Sequence, residues 1–165
     1  MKMKAPIPAA EKKDDKYLQG LLAGLAGGVA AMFVNLLVIL LFKIKILRYI
    51  DFAGVMAFGK MPHGFWENAF ALVVYCGFAS TLGIFFRYLL PCLSENWLYL
   101  KGMHFGAAVW FSSYAITTLY QSPHFVSISL ASAFTNFCAA LAYGLVMAGV
   151  LQWFLNRDLP ANPGP

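Results

Sequence analysis

The sequence predicts an all-α integral membrane protein, with four transmembrane helices in a compact bundle. Charge is scarce, and apolar residues gather into a few long blocks. Of 165 residues, 61% are hydrophobic and 12% charged, against roughly 25% charged in ordinary soluble domains. Mean hydropathy is +0.68. The blocks run over about 18–42, 68–90, 102–120 and 130–155. Each approaches the roughly 20 residues that carry a helix across a hydrocarbon core. Without water, spanning backbone must form helices or closed barrels. Barrel strands are about 10 residues of strict alternation, and these blocks are longer and unbroken.

Residues 1–17, "MKMKAPIPAAEKKDDKY", are polar and basic and predict a disordered cytoplasmic tail. The first block continues from Leu18 through Phe42 into "KIK" without an A-x-A site. That describes an uncleaved span and not a signal peptide. The link "KIKILRYIDFAGVMAFGKMPHGFWE" is too long for a turn and too apolar for a solvated loop. Its centre, "YIDFAGVMAFG", is expected to lie along the membrane surface or dip partly in. Pro62 and Gly64 punctuate the entry to the second span, and Trp66 fits an interfacial anchor. Pro91 stops the second span. "PCLSENWLYLK" and "QSPHFVSIS" are the remaining links, and residues 156–165 form a second disordered tail.

Four spans put the N-tail, the middle link and the C-tail on one side. That side carries Lys2, Lys4, Lys12, Lys13, Lys16, Arg87, Lys101 and Arg157; the other carries Lys43, Lys45, Arg48 and Lys60. The excess of positive charge places both termini in the cytoplasm. The net charge of +5 is thereby read as topology and lipid contact. No aromatic residues interleave with a basic cluster, so nucleic acid is not an expected partner.

At 100° per residue, Gly20, Gly24, Gly27, Gly28, Ala31 and Asn35 share one face of the first span. Leu22, Leu25, Val29, Phe33, Leu36 and Leu40 take the other. The third span aligns Gly102, Gly106, Trp110, Ser113, Thr117 and Tyr120; the fourth aligns Ser129, Ser132, Ala133, Asn136, Ala140, Tyr143 and Gly144. Cys76, Ser80, Gly83 and Arg87 line up in the second. Lipid tails are as apolar as leucine, so spans associate through small residues and cross-helix polar bonds. The seams, with Gly20, Gly24, Gly28, Gly102, Gly106 and Gly144, are therefore expected to turn inward.

Asn35 and Asn136 lie at matching depths, roughly 10 Å below the outer surface. With Tyr75 and Ser113 they form a candidate polar cluster. It serves as helix glue, at about 0.6–2 kcal/mol per bond, or as the floor of a small cavity open to the outside.

Other constellations point away from chemistry. "GLLAGLAGGVAA" matches neither a Walker loop nor a dinucleotide fingerprint. His63, His104 and His124 lack ligand spacing, so no metal, haem or other cofactor is expected. Cys76, Cys92 and Cys138 contain no C-x-x-C. The blocks hold no central carboxylate, which argues against a proton-coupled pump. Catalytic signatures and a catalytic carboxylate pair are absent. Arg87 and Lys101 can snorkel to the inner surface, where His104 would join them in contacts to lipid headgroups.

The stretches "AGLAGGVAAM", "IDFAGVMAFGK" and "LKGMHFGAAVWF", with the four-span layout, resemble small uncharacterised bacterial membrane proteins of the YqhR and YagU kind. That resemblance implies a bacterial inner-membrane location and no assigned activity. The expected function is a structural or accessory membrane component without catalysis. Its partners would be the lipid bilayer and a second copy or another membrane protein. The alternatives are a transporter or channel component for a small solute, and a lipid-headgroup binder or enzyme.

Overall fold

The computed structural model describes residues 15–44, 46–93, 96–119 and 128–158, with Thr118 and Asp158 by backbone alone. Five α-helices follow in order: α1 (Lys16–Phe42), α2 (Tyr49–Phe58), α3 (Gly64–Leu89), α4 (Leu98–Leu119) and α5 (Leu130–Asp158). A 3-10 turn at Leu90–Cys92 ends α3 at Pro91. Among the described residues, three segments, Lys16–Phe42, Gly64–Cys92 and Leu130–Arg157, are long and apolar enough to cross a membrane. α4 has 22 residues, about 33 Å of helix. Lys101, His104, Ser112, Ser113 and Thr117 lower its hydropathy, and it is not among the three.

The helix ends depart from the sequence blocks for local reasons. α1 begins at Lys16, inside the expected tail, because the Asp15 carboxylate accepts the Leu18 N–H at 3.1 Å. α3 starts at Gly64, ahead of the expected 68. There Glu67 accepts the His63 N–H at 2.7 Å and holds Lys60 at 2.6 Å. α4 starts at Leu98, ahead of 102. α5 runs past 155 to Asp158; Gln152 donates to Asn156 at 3.0 Å, and Arg157 lies over the Trp153 ring. Apolar content alone marks none of these polar terminal turns.

The first link contains a helix of its own. Asp51 accepts the Arg48 N–H at 2.8 Å and meets the Arg48 guanidinium at 2.7 Å, so its carboxylate reaches back to cap the start of α2. The hydrogen bond to Asp51 raises the Arg48 pKa above its ordinary value. Gly59, in the left-handed region at φ 68°, closes the helix. Asp51→Ala is expected to cost about 0.5–1 kcal/mol, because the cap and ion pair are partly solvated. Faster hydrogen exchange confined to residues 49–58 is the signature to measure.

α1 packs on both α3 and α5, α4 packs on α5, and α2 packs on α3. Small residues crowd the interior beside a few large ones such as Phe86, Met147 and Leu151, and most large residues point out. Ala23, Ala31, Ala79, Ala139 and Ala148 are buried, whereas Val29, Phe33, Leu40, Val73, Phe111 and Phe134 are exposed. That inversion suits a lipid surround, where close backbone approach is what association rewards. A Cβ on Gly83 would lie 2.5 Å from the Gly24 Cα, and one on Gly20 would lie 2.6 Å from the Ile84 Cα. Gly27 serves a different seam, where a Cβ would lie 2.7 Å from the Tyr143 carbonyl oxygen of α5. Between α4 and α5, Gly102 and Gly144 meet backbone to backbone, and Gly106 meets Ala140. Gly28 is roomier, its nearest neighbour being the Ala79 Cβ at 3.0 Å.

Candidate functional site

The densest polar network lies where α1 ends and α5 begins. Ser132 and Asn136, one turn apart on α5, grip both backbone groups of Leu47. The Leu47 N–H donates to the Ser132 hydroxyl at 3.0 Å, and its carbonyl accepts from Asn136 Nδ2 at 2.7 Å. Asn136 Nδ2 also donates to the Tyr114 hydroxyl at 3.1 Å, and Asn136 Oδ1 accepts from Asn35 Nδ2 at 3.3 Å. Asn136 is fully buried and Asn35 nearly so. One amide thus ties α5 to α1, to α4 and to the chain entering α2. Away from water such groups must find partners within the protein.

Tyr75 and Ser113, expected beside this pair, bond elsewhere. The Tyr75 hydroxyl donates to the Gly28 carbonyl at 3.0 Å, and Ser113 donates to the Trp110 carbonyl at 2.9 Å. Ser113 also approaches the Tyr49 hydroxyl. Among the described residues, three buried polar atoms complete no hydrogen bond: Asn35 Oδ1, the Tyr49 hydroxyl and the Trp110 indole nitrogen.

At the other end of the bundle, the expected snorkelling of Arg87 is corrected. Arg87 is only 4% exposed, and its Nε donates to Gln19 Oε1 at 2.8 Å. The small-residue face of α3 turns toward α1 and carries Arg87 inward with Ser80 and Gly83. Lys101 is half-buried and His104 exposed, so these three do not share one outward headgroup surface. Cys76 and Cys138 are half-buried, and Cys92 is exposed. Tyr120, His124 and Lys45 lie outside the described residues, as do the tails up to residue 14 and from residue 159. Among the described residues, no three His, Cys, Asp or Glu side chains gather to hold a metal.

Between α3 and α4 the helices stand apart. Phe78 and Leu82 form one wall, Gly106 and Val109 the other, and Ala31 and Ala140 the floor. The groove measures about 370 Å³ including its open side, and its lining is apolar. Phe105 closes one end against Phe86 and Phe85, with ring centroids 5.0 and 6.2 Å apart. Tyr49 stands at the other end, where Phe52 reaches the Tyr114 ring at 5.8 Å. The floor lies within one helical turn of the polar network, since Ala31 and Ala140 stand four residues from Asn35 and Asn136.

Sequence reading missed Tyr114, Gln19 and the Leu47 backbone. Gln19 carried a signal, because it shares the i, i+4 row of Ala23 and Gly27. Tyr114 stands one position off the face containing Ser113. Leu47 lies in a link with no periodicity, so nothing in the pattern marks its peptide as a partner.

No curated protein is similar to this chain, and no solved structure is similar to it either. A family model matches residues 15–161, from the Asp15 cap to just beyond α5. The chain therefore belongs to the family described as "Family of unknown function (DUF6789)".

Proposed function

We propose that this protein is a non-catalytic structural or accessory component of a bacterial inner membrane, crossing it four times with both termini in the cytoplasm. The carrying observation is the α4–α5 seam. Gly102 and Gly106 of α4 meet Gly144 and Ala140 of α5 backbone to backbone. A helix pressed that closely along an apolar span shares its depth, so α4 is the fourth crossing despite its lower hydropathy. Small residues at such contacts are how helices associate in lipid. The charge asymmetry supports the orientation. The inward turn of Arg87 onto Gln19 disfavours a surface headgroup site.

Fusions at each terminus test the topology. A fluorescent protein that matures only in the cytoplasm should glow at both ends, and an exported phosphatase should be inactive at both. Opposite signals at the two ends would refute four spans. For the accessory role, extraction into native nanodiscs should recover the chain with a second copy or another membrane protein. Recovery as a lone monomer would contradict that role.

A further inference from the structure

We infer that the groove between α3 and α4 binds one uncharged lipid, its hydrocarbon chain in the recess and an oxygen-bearing head at the Tyr49 end. The inference rests on the four-span reading of α4 proposed above. Phe78, Leu82 and Val109 lie in the middle of their helices, at the depth of lipid tails in that reading. The recess opens sideways between α3 and α4, so its contents come from the bilayer.

Several features favour a single lipid over a partner helix. Aromatic side chains close both ends, with Phe105, Phe85 and Phe86 at one and Tyr49 with Phe52 and Tyr114 at the other. The space is a pocket and not a continuous seam. Phe78, Phe85, Phe111 and Ile116 are exposed on α3 and α4, and these bulky residues give an approaching helix no row of small residues. The lining is apolar with few polar groups, as small-molecule sites typically are.

The head is specified by what is unpaired. No acid or base lines the groove, so an ionised head would lack a counter-charge, at high cost in this medium. The Tyr49 hydroxyl has no hydrogen-bond partner and lines the groove. A hydroxyl donates or accepts, so an uncharged hydroxyl or carbonyl oxygen on the ligand suits it.

The test uses the full chain in phosphatidylcholine nanodiscs and a long-chain alcohol bearing a diazirine, with labelled residues located by mass spectrometry. A probe of the same chain without the hydroxyl reports bulk lipid. Saturable labelling is expected at Phe78, Leu82 and Val109, displaced by excess unlabelled alcohol and lost in Val109→Phe and Leu82→Phe. Tyr49→Phe removes a hydroxyl that bonds nothing in the protein, so the fold survives it. That variant should weaken alcohol binding about fivefold, the worth of one neutral hydrogen bond, and leave the hydroxyl-free probe unchanged. Groove labelling that does not saturate, or that excess alcohol does not displace in the unaltered protein, would overturn the inference whether or not the filled variants fold. Cross-linking of a second chain across the groove would overturn it equally. Bulk labelling at Val73 without any at Phe111 would instead show that α4 lies outside the membrane, which is failure of the four-span reading.

Discussion

Gly144→Leu is expected to unseat α4 and to be the most damaging single change in the bundle. Even a bare Cβ on Gly144 would come 2.5 Å from the Gly102 carbonyl carbon and 3.0 Å from the Met103 nitrogen. Both are helix backbone, so no rotamer relieves the clash. Overpacking a well-filled core costs about 1–3 kcal/mol when side chains can shift, and this site should exceed that range. The same substitution at Gly83 faces the Gly24 backbone and should separate α3 from α1. Gly28→Leu should be milder, because its nearest neighbour is a methyl group. Unfolding by SDS titration, followed by circular dichroism, gives the order: Gly144 and Gly83 worst, Gly28 less affected. Equal tolerance at all three would contradict the seam geometry.

Asn136→Leu is expected to produce the second large loss. It strands the Leu47 carbonyl, removes the donor to Tyr114 and deprives Asn35 Nδ2 of its acceptor. Each stranded buried group costs about 1–3 kcal/mol. Cross-helix bonds in membranes average nearer 0.6 kcal/mol, because the unfolded chain also finds partners. A net loss of about 2–4 kcal/mol is the expected result. Asn35→Leu should cost less, since it breaks the one bond at 3.3 Å and removes an unsatisfied oxygen. A double-mutant cycle between the two positions should return a coupling near that of one hydrogen bond. Zero coupling would show that the amides do not act on each other.

The sequence carries the inner faces more plainly than their partners. Period and residue size place Gly20, Gly24, Gly27 and Gly28 on one side of α1, and all four are buried. Periodicity does not say which helix each one meets. Gly20 and Gly24 face α3, whereas Gly27 faces α5, because the α1 seam is wide enough to serve two neighbours. Asn35 and Asn136 could be matched because both lie on small-residue faces at similar distances from their helix ends. The Leu47 peptide could not, since a backbone group leaves no mark in the sequence. Arg87 was obscured by a sound general tendency: long basic side chains near span ends reach for the headgroups. Here the small residues Ser80 and Gly83 draw that face of α3 onto α1, and Gln19 supplies an acceptor within the bundle.

The depth of α4 decides most between this account and its rivals. Three helices have the hydropathy of spans and α4 does not, so its place rests on its seam with α5. Single cysteines at Leu100, Phe111 and Leu119, all exposed positions on α4, should be introduced after replacing Cys76, Cys92 and Cys138. A membrane-impermeant maleimide should then be applied to right-side-out and inverted vesicles. A four-span bundle with cytoplasmic termini predicts labelling at Leu119 only in right-side-out vesicles, at Leu100 only in inverted ones, and at Phe111 in neither. Labelling of both ends from the same side would contradict it, leaving α4 outside the membrane and the bundle with three crossings.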